Sequence, residues 1–281
     1  MKKLTSFLLM AVAILGLNAT YAQGFKMPQA SSTQTLIQDL GLGKVTVVYS
    51  RPNAKGRVML GKQEPYGEVW RTGANSATTI TFTDDVTIEG NKVPAGTYGL
   101  FTIPDPKEWT IILSKTSKTW GAYSYKQEDD FLRFKVKAWT TKEPVETFTM
   151  QFENVMPTAA DLHLAWEHTA LNIHITTDVD ARVMAGIDEA MKGEKKPYFA
   201  AAQYYYYNDK DMGKALEWIT EVEKTQPKSE VVKVWKARIL LKKGDKKAAL
   251  ATAEEGVALS KASKNGEYQR LNEAVAMQAK K

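Results

Sequence analysis

The sequence predicts an α+β chain whose two classes are segregated by domain: an N-terminal all-β antiparallel sandwich, then a short all-α helical repeat domain. Three observations carry this. Residues 31–177 consist of short β-branched and aromatic runs separated by Gly, Pro, Asn and Asp. Past Asp180 the apolar period becomes helical. The charge balance shifts at the same place, from 16 basic and 18 acidic side chains over residues 23–180 to 20 and 14 over residues 181–281.

Taken in order, residues 1–22 have the form of an export signal: Lys2 and Lys3, an apolar run from Phe7 to Leu17, and small residues before Ala22. That run is too short to remain as a membrane anchor. The expected address is the periplasm or the exterior. The chain has no cysteine, which excludes a disulfide framework, a thiol nucleophile and a cysteine metal site. The β domain is expected over residues 23–180. Its predicted strands are Val45–Tyr49, Thr78–Phe82, Val86–Ile88, Thr97–Ile103, Trp109–Leu113, Leu132–Trp139, Phe148–Phe152, Leu162–Trp166 and Leu171–Ile175. Turns fall at Glu89-Gly90-Asn91, Pro94-Ala95-Gly96 and Pro104-Asp105-Pro106, where these residues favour tight reversals. Gly41-Leu42-Gly43-Lys44 resembles a phosphate loop only superficially; it precedes a strand and reads as a turn.

Residues 181–281 form the helical domain. Asp211, Ala215, Leu216 and Glu221 recur 34 residues later as Asp245, Ala249, Leu250 and Glu255, with small alanines where paired helices must approach. This spacing resembles tetratricopeptide repeats. Departures are Lys236, where a small or apolar residue is usual, and Lys261, where the closing proline would stand. Within the tyrosine run 204–207, Tyr206 is expected to face inward.

The β region carries a distinctive set of segments: Tyr49-Ser50-Arg51-Pro52, Lys55-Gly56-Arg57, Pro65 through Asn75, Pro94-Ala95-Gly96-Thr97-Tyr98, Leu100 through Pro104, and Trp120-Gly121-Ala122-Tyr123-Ser124-Tyr125. On these residues it resembles the domain of unknown function 2911 family. The resemblance implies an exported bacterial protein, often with a helical-repeat tail, and implies no activity.

Function is sought where arginine concentrates. The chain has 31 lysines but only 7 arginines, and three of these, Arg51, Arg57 and Arg71, fall within 21 residues beside Tyr66 and Trp70. A guanidinium grips carboxylate or phosphate bidentately and stacks on aromatic rings, which a solvated lysine does not. The sequence therefore points to a pocket of Arg51, Arg57, Tyr66, Trp70, Arg71 and Asn75 for a small anionic or polar ligand, such as a glycan, peptide, phosphate or carboxylate group. The competing reading ties the arginines to Glu64, Glu68, Asp84 or Asp85 as loop-pinning ion pairs. If Val69-Trp70-Arg71 is extended, Trp70 and Arg71 point to opposite faces.

All three histidines lie close together. A tight turn at His168-Thr169 would set His163 opposite His174, a pair that could hold zinc or copper, although structural sites normally take four ligands. No cofactor is expected, and no nucleic-acid reader motif is present. Trp109, Trp120, Trp139 and Trp166 read as core, with Trp120 the exception to watch because it adjoins Gly121 and Ala122. Besides a binding module, two readings stand: an assembly factor engaging a protein partner through the helical repeats, and a hydrolase with unidentified catalytic residues.

Overall fold

The computed structural model describes residues 27–281. The expected signal, residues 1–22, lies outside them. The chain divides into two compact units, one ending at Asp178 and the other running Val179–Lys281.

The first unit is a nine-strand antiparallel sheet: β1 (Ser32–Leu40), β2 (Gly43–Arg51), β3 (Thr78–Phe82), β4 (Val86–Ile88), β5 (Asn91–Val93), β6 (Gly96–Ile103), β7 (Glu108–Ser114), β8 (Asp130–Met156) and β9 (Ala159–Thr176). Their order across the sheet is β1-β2-β3-β6-β7-β8-β9-β4-β5. β8 turns this sheet into two layers. Its first part, Asp130–Lys137, pairs with β7, and from Ala138 onward it pairs with β9. The β8–β9 ribbon then returns to β2. There Met150 N donates to Tyr49 Oη at 2.7 Å, Tyr49 Oη donates to Gln34 Oε1, and Phe148 N donates to Pro52 O. Val47, Ile80, Ile111, Phe148, Leu164 and Ile175 meet in the resulting core.

Two strands are absent from the sequence reading. β1 is largely polar because it is an edge strand with most side chains in water, so it lacks the β-branched signal. β5 is only three residues, closed onto β4 by the two-residue turn Glu89-Gly90, both at positive φ. Conversely, Leu132–Trp139 and Phe148–Phe152 are parts of one strand, and so are Leu162–Trp166 and Leu171–Ile175. The anticipated reversal falls one residue early: β9 folds back on itself at Glu167-His168, where Glu167 has φ 49°, so that Thr177 N donates to Thr158 O and His163 stands against Asn172 rather than His174. Gly41-Leu42 is a hairpin turn, with Leu40 paired to Gly43.

The second unit has six helices: α1 (Asp180–Ala190), α2 (Tyr198–Tyr207), α3 (Met212–Thr225), α4 (Glu230–Lys243), α5 (Lys246–Ala262) and α6 (Gly266–Ala279). Four begin at side-chain caps: Asp211, Ser229, Asp245 and Asn265 each accept backbone N–H groups of the first turn. Ala201, Ala202, Tyr205, Trp218, Ile219 and Val234 build its core. Tyr205, not Tyr206, is the inward tyrosine, because it shares a face with Ala201 four residues earlier.

α5 and α6 pack closely enough that a glycine is required. A Cβ on Gly256 would stand 2.1 Å from Asn272 Oδ1, and Asn272 is wholly buried with its Nδ2 donating to Tyr268 O and Glu230 O. Gly256→Ala is expected to destabilise the helical unit by about 1–3 kcal/mol through overpacking, despite alanine's higher helix propensity. Thermal or urea unfolding checks this; an unchanged midpoint would mean that Asn272 yields.

Candidate functional site

The segment between β2 and β3, residues 52–77, makes only isolated bridges, so side chains hold it in place. Trp70 is its main anchor. Its backbone exchanges two hydrogen bonds with Thr102, at 2.7 and 2.9 Å. Its ring is 2% exposed, stacks on Trp166 at 5.5 Å and 14°, and meets Phe148 and Trp109 edge-on. Its indole N–H donates to Gly73 O. Gly73 itself lies against β2, where a Cβ would come 2.8 Å from Ser50 O. Carboxylates tie down the rest of the segment. Glu167, at the bend of β9, accepts from Met59 N and Leu60 N, and Glu146 accepts from Lys55 N.

The six residues expected to form one pocket are distributed differently. Arg51 donates to Phe148 O and Thr149 Oγ1, clamping β2 to β8. Arg57 donates to Ala54 O and Asn53 O within its own loop. Trp70 is core, and Arg71 points away from that core, half-buried. Tyr66 is 43% exposed and covers Gly61, where a Cβ would strike its ring at 2.4 Å. Burial raises the Tyr66 phenol above its ordinary pKa, and the negative charges of Glu167 and Asp105 add to that. Asn75, at φ 59°, donates to Ser31 O and lines a separate hollow with Trp120. Among the described residues no carboxylate lies within 4.0 Å of Arg51, Arg57 or Arg71, so ion pairing does not account for the cluster either. Two guanidinium groups are occupied by oxygen acceptors of the fold.

Arg71 differs from both. Its Nε is buried with no hydrogen-bond partner, and the side chain lines a hollow of about 450 Å3 with Gln63, Glu64, Val69, Ala122 and Tyr123. Glu64 is the other charged group there. Burial pushes its carboxyl above the ordinary value, while the Arg71 charge and the Trp70 indole N–H pull it back only in part. Tyr123, 87% exposed, stands at the rim. The hollow thus offers a forked cation with an open donor, a carboxyl group disposed to hold its proton, and an aromatic wall. Glu64 was legible only as a competitor for arginine, because nothing in its spacing signals burial.

Each histidine has its own polar partner: Asn172 for His163, Asp161 for His174 and the Thr141 carbonyl for His168. Nine residues of extended strand span roughly 30 Å, so the 2.7 Å contact between His163 Nδ1 and Asn172 Oδ1 requires β9 to fold back at Glu167. β8 follows the outside of that bend, passing from Thr140 to Thr149 while β9 passes only from Thr169 to Ala165. His174 Nδ1 contacts Asp161 Oδ1 at 2.6 Å. Burial works to raise the Asp161 carboxyl, but hydrogen bonds from Asn154, His174 and Asn172 outweigh it and hold the group below its ordinary pKa. Among the described residues no group of three or more His, Asp or Glu side chains is arranged to hold a metal ion.

Comparison with known families decides the membership of the β unit. Residues 31–175 match the model described as "Protein of unknown function (DUF2911)", which is more than half of the chain. The chain belongs to the DUF2911 family. The matched residues run from the start of β1 almost to the end of β9, so the DUF2911 region is the nine-strand sheet, and the six helices follow it. No curated protein and no solved structure matches the chain.

The raised pKa of Glu64 has a stability consequence of defined sign. Below the ordinary carboxylate value of about 4.3 the group is protonated in both folded and unfolded states. As pH rises above that, the unfolded chain loses the proton first, so stability falls until the folded carboxyl also ionises. Glu64→Gln is therefore expected to raise the denaturation midpoint at pH 7 and leave it unchanged near pH 3.5. Urea melts at both values measure it; a lower midpoint at pH 7 would show that the ionised carboxylate is the stabilising form.

Proposed function

We propose that this DUF2911 protein is an exported binding module whose β unit takes a small anionic or polar ligand at Arg71, rather than in a pocket shared by three arginines. The observation that carries the reading is the buried, unpartnered Nε of Arg71 in a hollow of about 450 Å3. An orphaned buried donor is destabilising by about 1–3 kcal/mol unless something completes it. A ligand oxygen would do so. Glu64, whose carboxyl burial makes harder to ionise, would then lie beside the same ligand, and Tyr123 would cover one face. Arg51 and Arg57 act indirectly, by fixing the segment that carries Arg71.

The helical unit reads best as a tetratricopeptide-like scaffold for a protein partner. Its support is positional equivalence: Asp211 and Asp245 cap α3 and α5, and Ala215 and Ala249 are both wholly buried one turn later. Between α5 and α6 lies a groove of about 590 Å3 lined by Val257, Ala258, Ala276 and the exposed Met277. It supports an assembly role alongside ligand capture.

A thermal-shift screen of inorganic phosphate, acetate, short dicarboxylates and amino acids tests the Arg71 reading. At least one compound is expected to stabilise the protein. Arg71→Met is expected to abolish that shift and Arg71→Lys to weaken binding about tenfold or more, since a point charge does not replace the fork. An equal response in Arg71→Met would remove Arg71 from the site. Deletion of residues 2–22 is expected to trap the protein in the cytoplasm, as cell fractionation would report.

A further inference from the structure

We infer that the hollow on the other side of the 119–123 turn, lined by Trp120 and Asn75, is a sugar-binding site that stacks a pyranose ring on the Trp120 indole. This inference stands apart from the Arg71 reading, because the two hollows share no lining residue.

Trp120 is anomalous among the seven tryptophans. Trp70, Trp109, Trp166, Trp218 and Trp235 are all at most 7% exposed, and Trp139, 45% exposed, leans on the His163 ring at 5.8 Å. Trp120 is 66% exposed, and among the described residues neither an aromatic nor a cationic neighbour stands against its ring. Its backbone is nevertheless firmly held. Ser76 bridges to Trp120, Gly121 N donates to Asn75 O, and Ala77 N donates to Thr119 O. An indole face left open to water on a fixed backbone is a preformed apolar platform.

The opposing walls determine what could occupy it. The hollow, about 720 Å3, is within the usual range for small-molecule sites. Apart from Trp120, its lining is rich in hydroxyl and amide groups and, among the described residues, includes no carboxylate and one cation, Lys118. Thr33 and Ser50 hydroxyls hydrogen-bond to each other at 3.3 Å across β1 and β2, which leaves one O–H donor and acceptor lone pairs for a ligand. Asn75, held at φ 59°, uses its Nδ2 on Ser31 O and keeps Oδ1 as an acceptor. Alternating donors and acceptors facing one aromatic platform match a ring with hydroxyls around its edge and C–H groups on its faces. A nucleotide would also stack, but one exposed lysine and no cluster of backbone N–H groups leave its phosphates unmet.

The test is a titration of the full mature chain with glucose, galactose, mannose, N-acetylglucosamine, glucuronate and their β-linked disaccharides. Intrinsic tryptophan fluorescence and saturation-transfer NMR would follow binding. At least one sugar is expected to bind saturably and to perturb Trp120. Trp120→Ala is expected to weaken it at least tenfold without lowering the melting temperature, and Trp120→Tyr to restore most of the affinity. Arg71→Met is expected to leave it unchanged, whatever becomes of anion binding. The inference is overturned if no sugar in the set binds, if binding survives Trp120→Ala, or if Arg71→Met and not Trp120→Ala removes it.

Discussion

The insertion of Trp70 between Trp166, Phe148 and Trp109 is the contact on which the segment carrying the candidate site depends. Residues 52–77 lack a strand of their own, and a segment of that length without regular structure needs side-chain anchors to hold one conformation. Trp70 provides the deepest of them, joining the segment to both layers of the sandwich. Because neighbouring extended residues point to opposite sides, seating Trp70 in the core carries Arg71 outward to the hollow it shares with Glu64. The same geometry holds Gly73 against Ser50 and brings Asn75 to the neighbouring hollow.

Charge inside this segment is used in two ways. Glu146 and Glu167 complete backbone N–H groups, and Arg51 and Arg57 complete backbone carbonyls. These are short-range completions of the fold, each satisfying a polar group that would otherwise be orphaned. Arg71 and Glu64 depart from that pattern, with an unpartnered Nε on one and a pKa raised by burial on the other. Perturbed and unsatisfied groups side by side in a hollow mark it as the candidate site of the β unit.

The bend in β9 shows how far pattern reading carries. Alternation in Leu162–Trp166 and Leu171–Ile175 marked both halves as strand, and the turn residues between them suggested a hairpin. The structure has that reversal one residue early, at Glu167-His168, with Thr177 N donating to Thr158 O and β8 passing around its tip. Local periodicity marks the reversal but not its register, which sets His163 against Asn172 instead of His174. The arginine cluster has the same limitation. Composition marks the segment, yet the role of Arg51 depends on a β8 carbonyl 97 positions away, while Arg57 turns to carbonyls of its own loop.

The amino-acid sequence by itself determined the division into a β unit and a helical unit, the family of the β unit, most strand positions and the paired helix caps. These are local properties, written in period, turn chemistry and composition. Tertiary structure alone decided that Arg51 and Arg57 hold the fold together, that Arg71 and Glu64 share a hollow, and that Trp120 stays open while Trp70, Trp109 and Trp166 are buried. Such outcomes rest on which distant backbone groups and rings come within hydrogen-bonding or packing distance, and that is set by the return of the β8–β9 ribbon onto β2.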